Sequence, residues 1–154
     1  MSGDQHAGSI VRKFEALDAT EVEKIAKNSP QAAQWSRENY EELHRRGYSA
    51  WVVESGGRIC GFLVARIVTE QAEILNLAVD PNSRHAGMAN ALLDHAFAEF
   101  RHRRITSVFL EVRQSNLAAL RFYEKHEFVR TGERKDYYRE PNEGAVLMIR
   151  KLTD

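Results

Sequence analysis

The stretch Leu77-Ala78-Val79-Asp80-Pro81-Asn82-Ser83-Arg84-His85-Ala86-Gly87-Met88-Ala89-Asn90-Ala91-Leu92-Leu93 decides how the rest of the chain is read. An apolar run ends at Val79, and Asp80-Pro81-Asn82-Ser83 breaks it with turn-forming residues. From about Gly87 to Arg101 apolar residues return at helical spacing, with Met88, Ala91, Leu92, His95 and Ala96 along one stripe. The segment reads as strand, loop, helix. Unused N–H groups at a helix start, together with the helix dipole, make an anion site. Gly87 lets a phosphate approach the backbone with no Cβ in the way. Ala89 and Ala91 keep the first turn narrow, and Arg84 adds a fixed positive charge. A plain strand-to-helix turn with a surface arginine fits the same residues. The phosphate loop of nucleotide hydrolases is excluded, because no Gly-Lys-Ser/Thr follows the glycine, and only one glycine of the dinucleotide fingerprint is present.

Towards the N-terminus, 73–79, 58–68 and 50–54 read as strands, the last two joined by the tight turn Ser55-Gly56-Gly57. Asn28-Ser29-Pro30 stops a helix that Asp18 and Glu21 open as an acidic capping box, and Ser36 caps a second one running to about Arg46. Residues 10–14 form a short strand, and 1–8 read as a flexible tail ahead of a single domain over 9–154. Towards the C-terminus, 105–112 is a strand and 116–125 a helix. The strands 128–131 and 145–151 then enclose a polar loop. The predicted order is β-α-α-β-β-β-α-β-α-β-β. The strands on either side of the 87–101 helix run parallel through a right-handed crossover. The fold class is α+β, with a mixed, mostly antiparallel sheet.

A chain of 154 residues suits one domain with a sizeable core. Its 22 basic and 22 acidic residues leave no net field to recruit nucleic acid or an anionic membrane. The lone Cys60, inside Ile59-Cys60-Gly61-Phe62-Leu63-Val64, cannot make an internal disulfide and reads as a small core residue. No run approaches the length of a membrane span, and the polar start lacks an apolar signal core, so a cytoplasmic protein is expected. The six histidines form no metal-binding pattern, and no Gly-x-Ser-x-Gly elbow is present.

A second segment, Phe109-Leu110-Glu111-Val112-Arg113-Gln114-Ser115-Asn116-Leu117-Ala118-Ala119-Leu120-Arg121-Phe122-Tyr123-Glu124-Lys125, completes a pattern. Together the two segments resemble the GCN5-related N-acetyltransferase (GNAT) family, and within it the bacterial ribosomal-protein-alanine N-acetyltransferases. Arg84, Gly87 and Ala89 satisfy the family's Gln/Arg-x-x-Gly-x-Gly/Ala cofactor motif. The resemblance implies a splayed sheet of about six to seven strands flanked by about four helices. It also implies an enzyme that moves acetyl from acetyl-CoA to an amine by direct attack. Main-chain groups of Leu77, Ala78 and Val79 would meet the pantetheine arm, Arg84, His85, Ala86, Gly87, Met88, Ala89 and Asn90 the pyrophosphate, and Asn116 the cofactor arm. Glu111 matches the general base and Tyr123 the general acid. Arg134-Lys135-Asp136-Tyr137-Tyr138 resembles the start of the hairpin that covers the acceptor, with Tyr137 and Tyr138 as its grips and Trp35 on the opposite wall. The implied partner is a protein or peptide N-terminus, a ribosomal protein among the candidates, with the enzyme a monomer or weak homodimer. A small amine or amino acid as acceptor, and a non-catalytic acyl-CoA-binding module, are the alternatives.

The residues themselves bear on these roles. Val108, Leu110 and Val112 face one way in the 105–112 strand, so Phe109, Glu111 and Arg113 face the other. A central strand covered on both sides should be apolar on both faces, and Glu111 is not. It is either paired with Arg113, solvated at a strand end, or kept for chemistry. An N-terminal ammonium must lose a proton before it can attack, and a glutamate can take it. Tyr123 lies seven residues after Asn116, on the same helix face, and a phenol can protonate a departing thiolate. Packing beside Phe122 is the plainer reading of that tyrosine. Glu127 precedes Phe128 where the family carries glycine. A left-handed helix end there costs glutamate about 1 kcal/mol, or else the turn is reshaped.

Overall fold

The period-two segments fold into seven strands: β1 (Ser9–Lys13), β2 (Ser49–Ser55), β3 (Arg58–Val68), β4 (Gln71–Val79), β5 (Ser107–Arg113), β6 (Val129–Arg139) and β7 (Asn142–Lys151). The helical segments give α1 (Ala19–Lys27), α2 (Arg37–Glu41), α3 (Met88–His102) and α4 (Leu117–Lys125). The structure is a computed structural model, which describes residues 8–83, 87–139 and 142–152. The strands form one sheet in the order β1-β2-β3-β4-β5-β7-β6. Only β4 and β5 run parallel, across the α3 crossover; every other pair is antiparallel. This is the expected mixed sheet with four helices. Gly56 and Gly57, at φ of 60° and 77°, make the predicted β2–β3 turn, which needs positive φ at both central residues.

Each face of the sheet buries its own core. Trp51, Leu63, Leu92, Phe97, Phe100, Val108, Leu110, Tyr123, Phe128 and Met148 pack on the α3/α4 face. Val22, Ile25, Tyr40, Val52, Phe62, Val64 and Ala78 pack on the α1/α2 face. Within α3 the buried residues are Met88, Leu92, Leu93, Ala96, Phe97 and Phe100, whereas His95 is exposed and only edges against Trp51. Cys60 is buried and free.

Three expectations are corrected. Asp18 does not cap α1 with its side chain. Its carboxylate accepts from Arg12 at 2.9 Å and from the Glu15 N–H at 2.7 Å, and a 3-10 turn over Ala16–Asp18 leads into the helix. Ser36 does cap α2, accepting from the Asn39 N–H at 3.2 Å, but the α-helix stops at Glu41 rather than Arg46. Beyond it the main chain mixes three- and four-residue bonds up to Gly47, at φ 76°, where it turns into β2. The third correction concerns the C-terminus: the polar segment after Thr131 is strand, so β6 and β7 form a long hairpin. β6 is an edge strand with no buried residue, and its polar sequence hid its period.

Candidate active site

Pairing between β4 and β5 covers only Gln71 opposite Ser107, Ala72 opposite Val108 and Glu73 opposite Phe109. Both strands continue, β4 on β3 to Val79 opposite Gly61, and β5 on β7 to Arg113 opposite Ala145. The sheet therefore opens into a cleft beyond Glu73. A bulge in β4 causes part of this opening. Asn76 pairs with Val64 and Ile74 with Ala65, so Leu75 is the extra residue, and the strand bends there. Leu77, Ala78 and Val79 lie along the parted edge of β4. Gly61 supports them closely: a Cβ on it would lie 2.9 Å from the Ala78 carbonyl oxygen and 3.1 Å from Val79.

At the mouth of the cleft α3 begins. Gly87 stands at its N-cap with φ 76° and ψ 13°, a left-handed conformation that glycine takes without strain. Met88 is buried beneath, Ala89 packs against the core, and Asn90 Oδ1 lies 2.7 Å from His126 Nε2. The N–H groups of the first turn have no acceptor within the helix. Arg84, His85 and Ala86, assigned to the same cradle, lie outside the described residues. Asn116 is the N-cap of α4, its Oδ1 accepting from the Ala119 N–H at 3.2 Å. Its amide oxygen thus serves the helix, and its NH2 is the group a cofactor arm would meet.

Glu111 projects from β5 away from buried Val108, Leu110 and Val112, on the α1/α2 side of the sheet. The suggested pairing with Arg113 does not form: Arg113 is bridged to Glu143 at 3.2 Å, and Glu111 Oε1 accepts from Arg134 Nη1 at 3.2 Å. Glu111 Oε2 is buried and has no hydrogen-bond partner among the described residues. The Tyr137 phenol lies against this carboxylate, which raises its pKa more than burial does. Tyr138 is raised first by burial and then by the Glu111 charge. The two rings meet edge to face at 5.0 Å, with Arg134 4.4 Å over Tyr137 and Arg113 4.1 Å over Tyr138. They form a guanidinium-capped pair beside Glu111, with Tyr137 still exposed.

Tyr123 belongs to the other face. It is 8% exposed, wedged between Phe122 at 5.2 Å and Phe128 at 5.4 Å, and burial pushes its pKa upwards. Such a phenol keeps its proton at any working pH. Trp35 packs 5.5 Å from Tyr40 on the α1/α2 side, the same side as Glu111. Glu127 adopts φ 69°, and the Phe128 N–H donates to the Tyr123 carbonyl at 3.0 Å. The turn after Tyr123 is thus the one a glycine would make, kept at the cost of left-handed strain.

Two residues were not singled out from the sequence. Asn76, 5% exposed, binds the main chain of Ala33 through both ends of its amide and reaches Tyr40 Oη at 3.3 Å. A polar residue inside the apolar run 74–79 was the available signal. Arg134 gave no such signal, since its partner is 23 residues away in sequence. Among the described residues no three His, Cys, Asp or Glu side chains gather as metal ligands.

The chain matches the model of the Acetyltransferase (GNAT) family over residues 15–128. It is 31% identical over 116 residues to the [ribosomal protein bS18]-alanine N-acetyltransferase of Escherichia coli (strain K12), covering 74% of this chain and 78% of that protein. Its fold is similar to the crystal structure of the ribosomal-protein-S18-alanine N-acetyltransferase from Escherichia coli, with TM-score 0.85, 27% identity and 95% of each chain covered. It is also similar to Ard1 from Thermoplasma volcanium, with TM-score 0.87, 30% identity, and coverage of 96% of this chain and 99% of that one.

Proposed function

Because the chain belongs to the GNAT family of acetyltransferases, we propose that it acetylates the α-amine of a protein N-terminus, an alanine-starting ribosomal protein being its acceptor. The observation that carries this reading is the parting of β4 and β5 after Glu73 and Phe109, with Glu111 lining the α1/α2 side of the gap and Tyr123 rooted in the α3/α4 side. Acceptor and donor approach from opposite faces and meet between them. The similarity to bS18-alanine acetyltransferases supports the acceptor class. The long β6–β7 hairpin beside Glu111 supports an extended peptide over a small amine.

The site fits acetyl-CoA. The β4 edge beyond Glu73 has no ladder with β5, and the left-handed Gly87 opens a helix whose first amides have no intrahelical acceptor. Leu77 to Val79 would hold the pantetheine by main-chain groups, Arg84 to Asn90 the pyrophosphate, and Asn116 the arm. When bound, acetyl-CoA supplies the acetyl thioester. Glu111 Oε2 takes a proton from the acceptor ammonium, so that the nitrogen lone pair becomes available. Tyr123 holds its proton for the departing sulfur. Tyr137, Tyr138 and Trp35 flank the acceptor. Residues 9–154 work as one domain, a monomer or weak homodimer, and the buried free Cys60 accords with a cytoplasmic enzyme. No helix of the described residues is long and apolar enough to cross a membrane.

The test is acetyl transfer from acetyl-CoA to peptides that differ only in their first residue. Preference for alanine is expected. Transfer to small amines with none to any peptide α-amine would overturn the acceptor class.

A further inference from the structure

Glu111 presents two unlike oxygens: Oε1 accepts from Arg134 Nη1 at 3.2 Å, and Oε2 is buried with no partner among the described residues. A desolvated carboxylate oxygen without a donor is costly and calls for a reason. The placement of Arg134 supplies one. Arg134 stands on β6 opposite Ala145 of β7, and Ala145 stands opposite Arg113 of β5, two residues after Glu111. Directly opposed residues share a face of an antiparallel sheet, so the Arg134 side chain reaches Glu111 by crossing β7, where the small Ala145 leaves it room. Its main chain is pinned beside Gly144, on which a Cβ would lie 3.0 Å from the Arg134 carbonyl oxygen. Its guanidinium is laid over the Tyr137 ring at 4.4 Å. Root and head are both held, so the bond to Oε1, together with the Tyr137 phenol against the same carboxylate, sets its rotation.

We propose that Arg134 is the positioning residue of Glu111: by holding Oε1, it leaves the buried Oε2 unpaired for the proton of the acceptor ammonium. The proposal rests on the reading of Glu111 as general base. Arg134 itself touches neither reacting atom. A merely structural arginine at this exposed position, with 54% of its side chain accessible, would leave turnover unchanged.

The experiment is a double-mutant cycle on the full chain, reading kcat and KM for an alanine-starting peptide and Kd for acetyl-CoA in Arg134→Met, Arg134→Lys, Glu111→Gln and the double variant. The expected result is a fall in kcat of about tenfold in Arg134→Met, with Kd for acetyl-CoA unchanged. Arg134→Lys is expected to recover to within about threefold of wild type, because only one donor is used. Arg134→Met combined with Glu111→Gln should be no slower than Glu111→Gln alone. If Glu111→Gln is slow while Arg134→Met turns over like wild type, or if the two losses multiply in the double variant, the role of Arg134 is overturned and the base survives. If Glu111→Gln itself is unimpaired, the base assignment falls and takes this proposal with it.

Discussion

The side chain of Asn76 grips the main chain of Ala33 at both polar groups, Oδ1 accepting its N–H at 3.2 Å and Nδ2 donating to its carbonyl at 3.1 Å. One buried amide thereby moors the segment that carries Trp35 to β4, immediately before Leu77. Asn76→Leu would strand the Ala33 groups, at about 1–3 kcal/mol for each left unsatisfied. A Tm lower by about 5 °C is expected for a loss of about 2 kcal/mol in a domain of this size. In steady-state assays the acceptor KM should rise more than that for acetyl-CoA.

Glu111→Gln keeps the shape of the side chain and removes its basicity. Turnover should fall at least about tenfold, while acetyl-CoA still raises Tm as it does for wild type. An unaltered kcat would remove Glu111 from the chemistry.

Two buried phenols contribute to the loss of stability at alkaline pH. Burial raises Tyr40 to about 12, and Tyr123 is raised further. Below pH 10, folded and unfolded chains both hold these protons and pH has no leverage through them. Above pH 10 the unfolded chain releases them first, so each costs about 1.4 kcal/mol per pH unit until its folded pKa is passed. Tyr123→Phe should therefore flatten the fall of denaturation free energy above pH 10, and should slow transfer at neutral pH without unfolding the protein. Normal turnover with lowered stability would instead make Tyr123 a packing residue.

Glu127 holds φ 69° with its carboxylate 79% exposed and 3.5 Å from Arg150, a contact worth little in water. Glu127→Gly relieves the left-handed strain but frees the unfolded chain. A net stabilisation of about 0.5–1 kcal/mol is expected in urea unfolding at unchanged m-value.

Gly61→Ala would force a methyl against the Ala78 carbonyl and Val79. The strands that form one wall of the cleft must separate, at about 1–3 kcal/mol. Weaker acetyl-CoA binding, read by calorimetry, should accompany the lower Tm.

Much of this protein was legible in the sequence because the controlling interactions are local. The period of 58–68, the glycines of the β2–β3 turn, Ser36 as a cap, and the start of a helix at Gly87 each follow from a residue and its near neighbours. At the end of α4 the chain left two outcomes open, a strained left-handed Glu127 or a reshaped turn, and the structure takes the first. What the tertiary structure decided lies between distant segments. Whether Glu111 meets Arg113 or Arg134 depends on strand order, because β7 brings β6 across from β5. That order is set by burying the two sheet faces together. The moorage of Ala33 by Asn76 and the bulge at Leu75 likewise have no local signature. Hydrogen bonds and apolar periodicity within a segment can be read from the chain. The pairing of polar groups across the sheet cannot, because it exists only once cooperative packing has fixed which strands are neighbours.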